Sequence, residues 1–265
     1  MGKQIVIANW KMNLNIHEAS LLTYQIDHAT VNHRSVEIVL APSYLALQSL
    51  SLQIDHSKFK LAAQNCYWRD NGAFTGEVSA NQLRGLVSYV LVGHSERRHV
   101  FAEGGRDIGR KVQAAVRNGI KPVLCIGETA LERNVGETND VIHDQLVAGL
   151  ANLTAEDMKE VIIAYEPVWA ISSGKDYSNH ATPTPENCTQ VAQMIRRQIS
   201  HMFGKKVADE IPVLYGGSAS PDNASAFASA ASIDGLLVGG ASLVPEQFAA
   251  IVEACFLASK KGDNK

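Results

Sequence analysis

The sequence of 265 residues lacks the patterns that mark secreted, membrane-spanning and nucleic-acid-binding proteins. Its four cysteines are scattered without C-x-x-C spacing, which predicts reduced thiols and not a disulfide framework. No apolar run is long enough to span a bilayer, and the amino terminus has no basic-then-apolar signal pattern. The formal net charge is -3 without a basic run, which argues against nucleic-acid binding. We therefore expect a cytoplasmic protein with neither membrane nor nucleic-acid partners.

Motifs that hold metals or organic cofactors are also missing. The sequence contains no H-E-x-x-H helix, no Cys/His cluster and no EF-hand loop, so we expect no metal. It contains no Walker lysine, and no G-x-G-x-x-G follows the first strand-like run. These absences predict a protein that works without a cofactor.

Short apolar runs with amphipathic segments between them make up most of the chain. Strands that alternate with helices are joined by crossovers and lie parallel. Eight such units in a chain of this length predict a single (β/α)₈ barrel, with an open doubly wound sheet as the alternative. The predicted strands are Ile5–Ala8, Val36–Leu40, Phe59–Ala63, Tyr89–Val92, Val123–Ile126, Val161–Ala164, Val213–Tyr215 and Leu236–Val238.

No low-complexity linker divides the chain, so we expect one domain over residues 1–265, with a frayed polar tail at 260–265. A short helix opened by Ser220, Pro221 and Asp222 is expected in the Ala/Ser-rich piece that follows strand seven. The longer predicted helices are His17–Val31, Arg106–Asn118, Asn139–Leu150, Glu186–Phe203 and Pro245–Ser259.

Polar residues follow the predicted strands repeatedly, at the barrel end where active sites are built. Glu166 is the most informative of them. It comes directly after a buried β-branched run and directly before Pro167, which ends the strand. A carboxylate held at the lip of a rigid sheet is suited to act as a general base, whereas a solvated structural acid is the alternative.

Seven short motifs run from the first strand to the last. They are Asn9-Trp10-Lys11, Gly72 to Glu77, His94 to Arg98, Cys125 to Glu128, Ala164 to Ile171, Tyr215 to Ser218 and Val238 to Gly240. Together they resemble those of the triosephosphate isomerase family, and the resemblance covers essentially the whole chain. It implies a cofactor-free aldose–ketose isomerase of glycolysis and gluconeogenesis, which interconverts dihydroxyacetone phosphate and D-glyceraldehyde 3-phosphate.

The resemblance implies three catalytic residues. Glu166 is the base that removes a proton from the carbon beside the carbonyl, so that an enediol(ate) forms. His94 polarises the carbonyl and moves protons between the two oxygens. It precedes Ser95, which can open a short helix, and a helix amino terminus favours the neutral imidazole. Lys11 supplies positive charge. A core histidine and a surface lysine are the structural alternatives.

The supporting contacts are implied in the same way. Asn9 lies beside Lys11 in the substrate site, and Glu96 pairs with the lysine. The substrate phosphate is bound by backbone N–H groups, as is frequent in phosphate-binding barrels. By resemblance these are the amides of Ser172, Ser218, Gly239 and Gly240. Taken alone, a Gly-Gly pair more often indicates only a tight turn.

The connection at 65–79 is longer than a barrel loop that only joins a strand to a helix. In the family that this chain resembles, the loop inserts into a second subunit, and its threonine, here Thr75, steadies the lysine and histidine of that subunit. The resemblance therefore implies a homodimer formed through loop 65–79. A surface loop of the monomer is the alternative.

The segment after Glu166 departs from the family pattern. The resemblance makes it a lid that closes over the substrate, with Tyr215 as a latch for the lid's carboxyl-terminal end. Ser172 and Ser173 stand where the family has Gly-Thr, and 176–183 adds roughly half a dozen residues before the next helix. We expect activity to survive with altered lid kinetics.

Two other functions remain compatible with a barrel. Another phosphate-binding lyase or synthase would keep the glycine pairs without needing Glu166 and His94 beside Lys11. A non-catalytic scaffold would be expected to have lost one of these three residues, and all three are present.

Overall fold

The computed structural model describes residues 3–171 and 183–262. Eight parallel strands close into one barrel in chain order. Every predicted run forms a strand, with ends that differ by no more than two residues, so the (β/α)₈ prediction is confirmed and the open sheet is excluded. The strands are β1 Gln4–Asn9, β2 Val36–Ala41, β3 Phe59–Ala63, β4 Tyr89–Val92, β5 Lys121–Ile126, β6 Ile162–Tyr165, β7 Val213–Tyr215 and β8 Gly235–Val238.

Helices surround the barrel, and the longer ones were predicted. The expected segments form α1, α5, α7, α8 and α11, and the Ala/Ser-rich piece forms α10. The last helix continues to Gly262, so residues 260–262 of the expected tail are helical. The helices are α1 Ile16–Ala29, α2 Tyr44–Gln53, α3 Ala80–Leu83, α4 Ser95–His99, α5 Gly105–Arg117, α6 Ala130–Asn134, α7 Thr138–Gly149, α8 Pro185–Phe203, α9 Lys205–Glu210, α10 Pro221–Ala228 and α11 Pro245–Gly262.

Local signals explain where the helices begin. Asn15 and Glu18 form a reciprocal capping box that satisfies two backbone N–H groups at the start of α1. Thr184 caps α8 through the N–H of Asn187, and Pro185 occupies the first helical position, where no N–H is needed. These caps position helices that must pack against neighbouring strands.

The apolar core has two layers because alternate residues of each strand point to opposite faces. One face packs against the surrounding helices, and the other fills the barrel as a plug of side chains. The barrel is therefore closed at its centre, and a ligand has access only at its ends. The interior residues are Ile5, Ile7, Val39, Ala41, Ala62, Tyr89, Leu91, Val123, Cys125, Ile162, Ala164, Leu214 and Leu237.

No helix within residues 3–171 and 183–262 is long and apolar enough to cross a membrane.

Candidate active site

A recess of about 80 Å³ opens at the carboxyl ends of the strands. It brings together most of the residues that the sequence assigns to chemistry, although they come from strands spread around the barrel. Ile171, the last described residue before 172–182, lines it as well. The predicted site residues in its wall are Asn9, Lys11, His94, Glu166, Ser218, Gly239 and Gly240.

Glu166 is almost completely buried, with 1% of its surface exposed. Its backbone continues the ladder of β6, because its N–H donates to Ile126 O at 2.7 Å. The backbone of Gly127 passes so close that a Cβ there would lie 1.8 Å from Glu166 O, which requires glycine at this position. Oε2 accepts a hydrogen bond from the Ser95 N–H at 2.8 Å. The carboxylate is thus held at one oxygen.

The second oxygen, Glu166 Oε1, lies 3.1 Å from His94 Nε2. The N–H direction does not meet hydrogen-bond geometry, so this buried oxygen has no hydrogen-bond partner among the described residues. Burying a carboxylate oxygen in this way is unfavourable unless a ligand uses it. Glu166 lines the recess, so this oxygen can accept a proton from a ligand bound there.

His94 is the residue that caps α4, as the sequence predicted for a helix opened at Ser95. Its Nδ1 accepts the Glu96 N–H at 3.2 Å. An accepting nitrogen carries no proton, so this hydrogen bond assigns a neutral imidazole with its proton on Nε2. The neutral ring therefore carries its N–H on Nε2, the nitrogen that lies 3.1 Å from Glu166 Oε1 without a hydrogen bond to it.

Lys11 follows β1 in the left-handed backbone region, with φ 53°. Its Nζ lies 2.7 Å from Glu96 Oε1, which is the pairing implied by the resemblance. Asn9 Oδ1 accepts the Lys11 N–H at 3.1 Å, and Gln64 Nε2 donates to Lys11 O at 2.8 Å. Leu14 also has positive φ, at 71°, where glycine would be the unstrained residue. The ammonium is thus fixed at the rim by a strained, hydrogen-bonded loop.

Three residues in the wall of the recess have backbone N–H groups that could bind an anion. Within the described part of the chain, the amides of Ser218, Gly239 and Gly240 donate no hydrogen bond. They come from the turns after β7 and β8, and Gly240 opens a short 3₁₀ helix. Convergent backbone N–H groups at such turns bind phosphate.

Glu128 fixes the segment on both sides of Glu166, and the sequence analysis gave it no role although it lies in one of the motifs. Its fully buried carboxylate accepts from Tyr165 Oη at 3.0 Å and from Trp169 Nε1 at 2.9 Å. The Arg133 guanidinium lies 3.5 Å from it and 4.2 Å from the Trp169 ring centroid. Burial and this carboxylate raise the pKa of Tyr165, which stays a donor. The sequence feature that could have indicated this role of Glu128 is an acidic residue that follows a buried strand.

The predicted lid contacts lie mostly outside the described residues. Ser172, Ser173 and residues 176–182 are not among the described residues. Tyr215 is fully buried and stacks on Phe227 at 4.0 Å between ring centroids. Its hydroxyl has no hydrogen-bond partner among the described residues. The latch remains a prediction.

Loop 65–79 lies apart from the recess in a single chain. Thr75 is exposed and lines a separate cavity of about 360 Å³ formed by its own loop and the start of α3. The structure of one chain therefore does not bring Thr75 to Lys11 or His94. Within the described ranges, no group of three or more His, Cys, Asp or Glu side chains could hold a metal ion.

A closed parallel barrel with an acid, an imidazole, an ammonium and unpaired backbone amides at one rim defines the class of (β/α)₈-barrel enzymes. A family model described as triosephosphate isomerase matches residues 4–255. A protein of Chloroherpeton thalassium named triosephosphate isomerase is 43% identical over 96% of this chain and 99% of its own length. Proteins of the same name from Chlorobium phaeobacteroides and Fusobacterium nucleatum are 43% and 42% identical, with the same coverage. The chain belongs to the triosephosphate isomerase family, and it is an isomerase whose place in glycolysis follows from the family.

Proposed function

We propose that this isomerase interconverts dihydroxyacetone phosphate and D-glyceraldehyde 3-phosphate, with Glu166 as the base. The carboxylate takes the proton from the carbon beside the carbonyl, and the carbonyl oxygen becomes an enediolate oxygen. The same carboxyl group returns a proton to the neighbouring carbon. One proton moves between the two carbons and one between the two oxygens, so no electron acceptor is needed.

The observation that carries this proposal is the buried carboxylate with one unpaired oxygen beside a neutral imidazole. Removal of water from around Glu166 strengthens its interaction with a substrate proton. His94 Nε2–H donates to the oxygens on which negative charge develops, and it moves protons between them. Lys11 adds a positive charge that Glu96 holds in place, and Asn9 contacts the substrate beside it. Fixed donors of this kind lower the energy of the enediolate without reorganisation.

The phosphate is proposed to bind the free N–H groups of Ser218, Gly239 and Gly240, together with that of Ser172 when the lid closes over the substrate. Anchoring the non-reacting end holds the reacting carbons within reach of Glu166. Tyr215 is proposed to latch the closed lid. Residues 1–265 would act as one domain in the cytoplasm, without a cofactor.

The direct test is a coupled assay with D-glyceraldehyde 3-phosphate and the matched variant Glu166→Asp. The shorter side chain withdraws the carboxylate by about 1 Å, which lowers kcat on the order of 100-fold. Full activity in Glu166→Asp would show that another group is the base. An inactive wild-type protein would refute the proposed reaction.

We also propose a homodimer in which loop 65–79 of one subunit reaches the active site of the other. The loop presents an exposed aromatic group, because Phe74 packs on Tyr67 at 4.7 Å yet remains 38% exposed. Met12, beside the catalytic lysine, is 97% exposed. An apolar tip and an apolar surface beside the site are typical of a dimer contact. Sedimentation of the protein as a monomer at micromolar concentration would refute this proposal.

A further inference from the structure

We propose that Arg98 is a positioning residue that fixes the spacing between His94 and Glu166; this inference rests on the proposed function. The side chain lies behind the recess and does not line it. Its Nε donates to Gly93 O at 2.7 Å, and its Nη2 donates to Cys125 O at 2.8 Å. One guanidinium therefore joins the residue that follows β4 to the next-to-last residue of β5.

These two carbonyls lie where the ladder between β4 and β5 stops. The last paired residues are Val92 and Leu124, and the next position along each strand is Gly93 and Cys125. Gly93 has φ 71°, so the chain turns away and the strands separate. Arg98 supplies donors to both carbonyls at the point where the strands no longer pair. The guanidinium therefore links β4 and β5 by hydrogen bonds one position beyond their last backbone pair, at the carboxyl end of the barrel.

Each of the two backbones leads directly to a reacting group. The peptide of Gly93 precedes His94. Cys125 precedes Ile126, whose carbonyl accepts the Glu166 N–H at 2.7 Å. A change in the separation of Gly93 and Cys125 therefore moves the imidazole relative to the carboxylate, which now lie 3.1 Å apart. Reactions of this kind lose rate steeply when the reacting groups move by about 1 Å.

The packing around the guanidinium leaves little freedom. A Cβ on Gly93 would lie 2.9 Å from Arg98 Nη2 and 3.1 Å from Ile108 Cγ2, so glycine and arginine fit only together. Among the described residues, Arg98 makes no ion pair with a carboxylate, and backbone carbonyls take its hydrogen bonds. Burial lowers the pKa of Arg98, and the charges of Cys125, Glu166 and Glu103 oppose this shift.

A lysine cannot replace this contact, because an ammonium is a point donor whereas the planar guanidinium reaches two carbonyls in a fixed geometry. We expect Arg98→Met to lower kcat on the order of 100-fold, and Arg98→Lys on the order of 10-fold. KM should stay within about threefold, because the phosphate amides belong to the turns after β7 and β8. The dissociation constant of inorganic phosphate should change equally little.

Arg196 provides the matched control. It also donates to two backbone carbonyls, Ala208 O at 2.6 Å and Ile211 O at 2.9 Å, but it lies at the amino-terminal end of the barrel. Arg196→Lys likewise replaces a guanidinium that binds two backbone carbonyls, here both through Nη1, without touching the site. The experiment compares kcat, KM, phosphate affinity and Tm for the wild type, Arg98→Lys, Arg98→Met and Arg196→Lys.

The inference holds if both Arg98 variants lose kcat at nearly constant KM while Arg196→Lys keeps the wild-type kcat. It is wrong if the Arg98 variants keep kcat within about threefold, if KM rises instead, or if Arg196→Lys loses kcat to the same extent. If Arg98→Met does not fold, the kcat and KM of Arg98→Lys alone test the inference by the same criteria. A wild-type protein that does not convert triose phosphates would refute the proposed function first, and an active wild type with normal Arg98 variants would refute only this inference.

Discussion

Two acidic residues at opposite ends of the barrel have contrasting surroundings. At the amino-terminal end, Asp234 Oδ2 accepts from Arg196 Nη2 at 2.7 Å and from the Val213 N–H at 2.8 Å. At the carboxyl-terminal end, Glu166 is more deeply buried, yet one of its oxygens has no hydrogen-bond partner among the described residues. Arg98 donates its hydrogen bonds to backbone carbonyls and not to this carboxylate.

The two acidic residues have different roles: Asp234 stabilises the fold, and Glu166 is placed to react with a substrate. Asp234 holds α8, β7 and β8 together, and its hydrogen bonds are made within the fold. Glu166 keeps an unfavourable unpaired oxygen, which a substrate proton would satisfy. Substitutions at the amino-terminal end should therefore change the free energy of unfolding, and substitutions at the carboxyl-terminal end should change the rate of the reaction.

Loss of the Lys11 ammonium should produce the largest effect. Lys11→Met keeps the length of the side chain and removes the charge from both the enediolate oxygen and the phosphate. One lost donor to an oxyanion costs about 10²–10³ in rate, so a residue that serves two anionic groups should cost at least on the order of 10³ in kcat/KM. The matched control is Lys58→Met, whose Nζ binds Asp27 Oδ1 at 2.7 Å at the amino-terminal side. A comparable loss of kcat/KM in Lys58→Met would contradict the account, because it would show that the Lys11 effect is not specific to the carboxyl-terminal end.

Asp234→Ala should instead reduce stability. It leaves the Val213 N–H and an Arg196 N–H without their acceptor, and each unsatisfied buried donor costs about 1–3 kcal/mol. Because the Asp234 side chain is 39% exposed, water replaces part of the loss, and we expect a total of about 1–3 kcal/mol. Denaturant unfolding measures this change, and kinetics on the folded protein should give the wild-type kcat. An altered kcat at unchanged stability would contradict the separation.

Asp70→Asn should give the smallest effect and should depend on pH. The hydrogen bonds from Arg117 hold the pKa of Asp70 below its ordinary value, with a further contribution from Asn118. A lowered pKa in the folded state gives stability that is present above the unfolded value of 3.8 and is lost as pH falls through the folded value. The variant should therefore have a slightly lower Tm at pH 7, and the difference should shrink below that unfolded value. A constant difference in Tm down to the lowest accessible pH would contradict this account.

Much of the fold was predictable because each strand is a short, largely apolar run, and most of these runs are followed by polar residues or glycine. The cap at His94 was predictable from Ser95, since the signal is local. The shorter helices α2 and α9 were not predicted, because their positions depend on packing against distant elements. The site residues were found from their motifs, whereas the hydrogen bonds that support them were not.

Arg98 and Glu128 show why the supporting contacts could not be predicted. Arg98 reaches Cys125 O across 27 positions of sequence, and Glu128 reaches Trp169 Nε1 across 41. Such contacts require the barrel to be closed before the partners are close. The unpaired oxygen of Glu166 is likewise a property of its surroundings, and no sequence pattern records it.

The most direct test of the account is to follow hydrogen exchange by NMR, with dihydroxyacetone phosphate in D₂O and either wild-type protein or Glu166→Asp. If Glu166 removes the proton, the wild type should place deuterium on the carbon beside the carbonyl, and the variant should slow exchange and isomerisation together, on the order of 100-fold. Exchange and isomerisation at the wild-type rate in Glu166→Asp would contradict the central claim that this carboxylate is the base.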